Sequence, residues 1–209
     1  MEYTLKNDAI ELRVDTHGAE TVSLKKDGQE YLWNADPDFW NRHAPVLFPF
    51  VGKPRDKKYR YQDTEYPMGQ HGFARDCEFV LTKQKKDRLQ FTLIDNVSKE
   101  KPYRLETEHG FLTPTNELFS GDALIFEDRQ ADSVSLTDKD GKPYLTVDFD
   151  TPLFGVWSPV GKNAPFICIE PWYGRADRED FDKDLTRRDY EMSLDPGKKF
   201  KGGFSVALD

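Results

Sequence analysis

The 209-residue chain is poor in several residue types and patterns, and each shortage excludes something. It has two cysteines, Cys77 and Cys168, with no CxxC pair and no histidine at ligand spacing. A disulfide framework and a metal site are therefore not expected, and both thiols read as small core residues. No apolar run approaches the length of a membrane span, and the opening MEYTLKNDAIEL alternates like a strand instead of carrying the apolar core of a signal peptide. The expected location is the cytoplasm. The phosphate-cradling GxGxxG and GxxxxGKS/T patterns are missing, as are the GxSxG elbow and the HExxH zinc helix, which argues against a nucleotide enzyme, a serine hydrolase and a zinc protease. Positive charge is in deficit: 30 Lys and Arg face 38 Asp and Glu, for a net charge of −8. Such a surface repels nucleic acid and anionic membranes and leaves a small neutral ligand as the expected partner.

Long helical periodicity and internal repeats are also absent, whereas period-two alternation is frequent. Ile10, Leu12 and Val14 alternate with Glu11, Arg13 and Asp15; Leu89, Phe91 and Leu93 with Gln90 and Thr92; Phe204, Val206 and Leu208 with Ser205 and Ala207. These read as half-buried strands. Turn signals at Lys26-Asp27-Gly28, Asp138-Lys139-Asp140-Gly141 and Asp195-Pro196-Gly197 separate them. The pattern predicts a mainly β, antiparallel sandwich in a single domain spanning 1–209. Short helices of one to two turns are expected at 36–41 and 115–120. The charged stretch 95–110, DNVSKEKPYRLETEHG, breaks the alternation and reads as a linker.

Within APFICIEPWYG (164–174), Phe166 to Ile169 read as a buried strand with a lone acid, Glu170, at its end. Desolvation there would shift the carboxylate toward a base useful near neutral pH. The alternative is a structural carboxylate paired with Arg175 or Arg178. A second polar cluster runs from His43 to His71. Pro45, Pro49 and Pro54 break any helix, so Lys53 and Arg55 are expected on a loop after a buried strand, where they suit sugar hydroxyls or a phosphate. His71, in Gln70-His71-Gly72-Phe73, is either a proton carrier or a structural hydrogen bonder. Phe39, Trp40, Phe73, Trp157, Trp172 and Tyr173 add aromatic faces, with Trp172 beside Glu170. Aromatic faces combined with a carboxylate, an imidazole and cations suit a monosaccharide, whose C–H faces are apolar and whose rim is polar.

Six segments in order, DTHGAE (15–20), EYLWNADPDFW (30–40), HAPVLFPFVGK (43–53), MGQHGFARD (68–76), DALIF (122–126) and CIEPWYGRAD (168–177), resemble the aldose 1-epimerase family, in its LacX-type, galactose mutarotase-like bacterial branch. The resemblance implies a large antiparallel β-sandwich and cofactor-free interconversion of the α and β anomers of an aldohexose. It places the family's proton-abstracting glutamate on Glu170 and its sugar-binding histidine on His71. The family's arginine after Val-Gly falls on Lys53, which keeps the charge and loses the planar fork. Phe73, Asp122, Trp172 and Arg55 complete the expected substrate-binding set.

The resemblance also exposes a departure. The family's further strands between the positions matching Leu93 and Asp122, with their GGHPAF-like motif and its ring-oxygen-protonating histidine, have no match here. The chain thus reads as a family member shortened in the middle. Mutarotation needs a base at O1 and an acid at O5; Glu170 supplies the first, and His71 is expected to bind the sugar or partly replace the acid. Two other readings stay open: a non-catalytic carbohydrate-binding module, and a hexose-6-phosphate 1-epimerase using Lys53 and Arg55. Sheet edges left by the missing strands predict a homodimer or aggregation.

Overall fold

In the computed structural model the described residues are 1–93, 99–100 (backbone alone), 115, 117–178, 181 and 183–208. They form sixteen strands and three short 3₁₀ turns, with no α-helix among the described residues. The N-terminal half begins with a meander, β1 (Glu2–Lys6), β2 (Ile10–Asp15), β3 (Thr21–Lys26) and β4 (Gln29–Glu30), hydrogen-bonded in that order. Two hairpins follow, β5 (Lys58–Tyr61) with β6 (Thr64–Pro67), and β7 (Val80–Lys85) with β8 (Arg88–Thr92). Asp27 and Gly28 at the β3–β4 turn have φ of 49° and 85°. A two-residue hairpin needs that left-handed backbone, and the Asp-Gly pair supplies it.

The short β9 (Lys99–Glu100) leads to the second half: β10 (Leu124–Phe126), β11 (Ser133–Thr137), β12 (Pro143–Phe149), β13 (Leu153–Trp157), β14 (Cys168–Trp172), β15 (Ala176–Asp177) and β16 (Phe204–Leu208). Two antiparallel sheets result, ordered β10-β13-β14 and β11-β12-β16, while β9 pairs with β15 in parallel. Alternation along β13 decides how they pack. Phe154 and Val156 point one way, into a core with Leu124, Val147 and Phe149 that joins the two sheets. Leu153 points the other way and packs with Val51 and Trp172. The β10-β13-β14 sheet is therefore covered on both faces, by a sheet on one side and by the 43–53 segment on the other. That sandwich interior positions the site.

Four expectations need correction. Residues 36–41 and 117–120 make single hydrogen-bonded turns, not helices: the Phe39 and Trp40 N–H groups both donate to the Asp36 carbonyl, and the coil goes no further. The segment before Lys53 forms no strand, only isolated bridges of Ala44 with Thr21 and of Phe48 with Gly72, because Pro45 and Pro49 remove ladder donors. Glu170 lies at the centre of β14, whose bounds fall later than the apolar run suggested. Cys77 and Cys168 are free and only partly buried. Of the linker read at 95–110, all but Lys99–Glu100 falls outside the described residues.

Candidate active site

One wall of the site is β14. Cys168, Glu170 and Trp172 share a face by the two-residue period of a strand, and that face looks toward the 43–53 segment. Phe154 and Val156 of β13 fill the opposite side. Glu170 accepts a hydrogen bond of 3.3 Å from the Trp172 indole Nε1–H. Burial pushes the Glu170 carboxyl up to about 7, against that hydrogen bond and with help from the negative charge of Asp122. The structural alternative for this carboxylate fails. Arg175 pairs with Glu127 and Arg178 with Asp189, so neither arginine neutralises Glu170.

The facing wall is a pair of loops clamped together at His71. Its backbone N–H donates to the Gly52 carbonyl at 2.7 Å, and the Gly52 N–H donates back to the His71 ring Nδ1 at 3.0 Å. An Nδ1 that accepts cannot carry the proton, so the neutral ring holds it on Nε2. Burial first, then the charges of Arg75, Lys53 and Arg42, push the imidazole down to about 4. At neutral pH His71 is therefore a fixed hydrogen-bond donor, not an imidazolium. Gly52 is needed for the clamp: its φ is +77°, and a side chain there would sit 2.2 Å from the Ala176 Cβ on β15. That close approach ties the His71 loop to the strand that follows β14.

Both walls line one open cleft of about 3340 Å³, which includes Lys53, His71, Arg75, Asp122, Glu170 and Trp172. Small-molecule sites usually enclose ~300–1,000 Å³, so a sugar would occupy only a corner of it. The remainder runs beneath β11, β12 and β16, past Leu136, Tyr144, Phe200 and Phe204. Rings of Trp40 and Trp157 meet edge to face at 5.7 Å on the near rim.

The expected residues divide on placement. Glu170, His71, Lys53 and Asp122 come together on the cleft. Lys53 is exposed and has no ion-pair partner among the described residues. Trp172 borders the cleft but is only 5 % exposed, so it serves as core and as the hydrogen-bond donor to Glu170. Arg55 does not reach the cleft; it donates to the Phe181 carbonyl at 3.3 Å. Positive φ at Asp56 and Lys57 marks the turn there. Phe73 also stays off the cleft, with its ring edge to face against Phe48. Arg75 is a lining residue that the sequence reading passed over. Its side chain is 18 % exposed, and its buried Nε makes no hydrogen bond but lies 3.7 Å from Asp76 Oδ2 in an ion pair. The available signal was a cation directly after the apolar Phe73-Ala74 pair of the HGFAR stretch. Among the described residues, no group of three or more His, Cys, Asp or Glu side chains could hold a metal ion.

A buried carboxylate near neutral poise, a neutral imidazole donor and the cations Lys53 and Arg75 around a wide cleft suit acid–base work on a polyhydroxylated molecule. Comparison with known proteins agrees in class. The aldose 1-epimerase family model matches residues 1–112, and the chain belongs to that family. It is similar to the plasmid-encoded protein LacX of Lactococcus lactis, 26 % identical over 264 aligned positions that take in 83 % of this chain and 88 % of LacX. That alignment is longer than the 209-residue chain itself, so it contains gaps. A galactose mutarotase related enzyme from Lactobacillus acidophilus shares the fold with a TM-score of 0.86 and 30 % identity, covering 100 % of this chain and 97 % of that one. A galactose mutarotase-like protein from Lactobacillus casei follows with a TM-score of 0.84 and 23 % identity, covering 99 % and 97 %.

Proposed function

We propose that the chain interconverts the α and β anomers of a free hexose, with Glu170 taking the proton from the anomeric hydroxyl and His71 donating a hydrogen bond to the sugar. The observation that carries this reading is Glu170 itself: an unpaired strand carboxylate held near neutrality by burial, on a cleft shared with a donor histidine. Its poise gives both protonation states at working pH, which reversible proton transfer requires. His71 is a poor source of the second proton, because its ring stays neutral and donates from Nε2. Turnover therefore runs on the base with solvent delivering the O5 proton, at a loss of ~10²–10⁴ against a full acid–base pair. The test is anomer exchange of glucose and galactose by NMR saturation transfer, with the parent chain and Glu170→Gln. Exchange above the spontaneous rate that vanishes in the variant supports the reading. Sugar-dependent tryptophan fluorescence without exchange would select a carbohydrate-binding module instead.

The cations favour a second reading. Lys53 and Arg75 sit close enough to His71 to depress it, and Arg75 Nε lacks a hydrogen-bond partner. A hexose 6-phosphate would be held by these two, not by Arg55. Tighter binding of glucose 6-phosphate than glucose, lost at high salt, would support it. The same reading of a shortened sandwich pairs two copies through β11 and β16, the open edges of their sheet; a monodisperse monomer in sedimentation would overturn that pairing.

A further inference from the structure

We infer that Gly155 is a positioning residue for Glu170: the missing side chain at this strand position makes room for the Trp172 ring, and the ring holds the Glu170 carboxylate. The inference goes one step beyond the assignment of Glu170 as base, on which its kinetic consequence rests.

The register brings the three residues together. β13 and β14 are antiparallel, with Gly155 directly across from Glu170 and Leu153 across from Trp172. Directly opposed residues project to the same face, so a side chain at 155 would stand beside Glu170 and in the path of Trp172. A Cβ built on Gly155 would lie 2.5 Å from Trp172 Cζ2 and 2.6 Å from Cη2. The indole thus lies over the bare backbone of Gly155, and in that pose its Nε1–H reaches Glu170 Oε2 at 3.3 Å.

Nothing in the backbone asks for glycine here. Gly155 is absent from the positive-φ glycines, and a glycine inside a strand costs stability and packs nothing. It is also flanked by buried neighbours, Phe154 at 4 % and Val156 at 7 % exposure. The ring above it is the feature that needs the space. Trp172 cannot swing away freely, because it is packed with Val51 and the fully buried Leu153. A methyl group at 155 would have to displace the ring by about 1 Å to reach ordinary contact, and a hydrogen bond already at 3.3 Å does not survive that.

The indole N–H favours the ionised carboxylate, while burial and Asp122 oppose it. Cys168 on the same strand is a titratable neighbour whose thiol burial keeps protonated, and the facing loops carry Lys53 and the neutral His71 on the same cleft. β13 and β10, which flank this face, carry no ionisable side chain. Losing the N–H should therefore raise the titration midpoint of Glu170 and loosen its aim.

The experiment is a pH titration of ¹³C-glutamate carboxyl shifts, with the Glu170 signal assigned by its loss in Glu170→Gln, on the parent, Gly155→Ala, Trp172→Phe and the double variant. The expected result is an upward midpoint shift of about half to one pH unit in each single variant. The double variant should show no further shift, since both changes remove one interaction. Anomer exchange at pH 7 should fall about tenfold in Gly155→Ala with KM nearly unchanged, and recover in part above pH 8. An unchanged midpoint in Gly155→Ala, or shifts that add in the double variant, would overturn the inference. If Gly155→Ala does not fold, rescue by the added Trp172→Phe supports the steric pairing, and failure of that rescue overturns it. The carboxyl titration needs no turnover, so it separates failure of this positioning role from failure of the mutarotase reading.

Discussion

Two strand-built stretches of the large cleft, the β13–β14 wall and the β16 wall, carry similar apolar patterns and meet opposite fates. On the β13–β14 wall, Leu153 is 0 % and Trp172 5 % exposed, because the 43–53 segment lies over them. On the β16 wall, Phe204 is 64 % exposed, and Phe200, although its ring meets Tyr173 edge to face at 4.9 Å, is 51 % exposed. Alternation encodes which side chains share a face, while burial depends on whether another element covers that face. The covered wall holds Glu170 with a neutral-range carboxyl; the bare wall holds no counterpart.

The largest effect expected on this contrast comes from removing the charge that the covered wall desolvates. Glu170→Gln should lower anomer exchange by ~10²–10⁴. The same substitution should stabilise the fold at alkaline pH. The folded-state value of about 7 lies above the ordinary 4.5, so the native state holds its proton more tightly and loses stability as pH rises from 4.5 to 7. At about 1.4 kcal/mol per pH unit this penalty is about 3 kcal/mol above pH 7, and denaturant melts of parent and variant at pH 8 would read it. Equal stabilities at pH 8 would mean that Glu170 is hydrated.

Leu153→Ala tests the packing of the same wall. A fully buried leucine should cost ~2–5 kcal/mol when truncated, read as a drop in the urea midpoint. A cost under 1 kcal/mol would show that the 43–53 segment does not cover β13 in solution.

His71 gives an effect of the opposite pH sign. Its folded-state value of about 4 lies below the ordinary 6.5, so the unfolded chain binds the proton first. Its contribution is fully present above pH 6.5 and is lost as pH falls toward 4, for a total of about 3 kcal/mol. His71→Asn retains an acceptor for the Gly52 N–H and does not titrate. The difference in unfolding free energy between parent and His71→Asn should therefore change across pH 4–6.5 and flatten above it. A difference that stays level across that window would place His71 in water.

Part of this was legible in the sequence because it is local. Asp27-Gly28 specifies its own hairpin, the alternation from Ile10 to Val14 specifies β2, and an acid inside Phe-Ile-Cys-Ile-Glu marks itself by its apolar neighbours. The polar cluster between His43 and His71, with its helix-breaking prolines, marked Lys53 and His71 in the same way. What was not legible depends on contacts across the chain. Gly155 matters because of a tryptophan on the neighbouring strand, and Arg55 misses the cleft although it lies two residues beyond Lys53, which lines it. Phe204 and Val206 alternate as cleanly as Ile10 and Leu12, yet Phe204 at 64 % and Val206 at 39 % are exposed.

That last pair supplies the smallest effect and the sharpest check on the contrast. If the β16 wall is bare, Phe204→Ser changes a side chain that water already reaches, and the melt should move by no more than ~0.5 kcal/mol. Removing the aromatic should also lower self-association, because Phe204 stands on an open strand edge of β16. A loss above 2 kcal/mol, together with a change of oligomeric state, would instead show that Phe204 is buried in solution. The two walls would then differ in what covers them, one by its own chain and the other by a second copy.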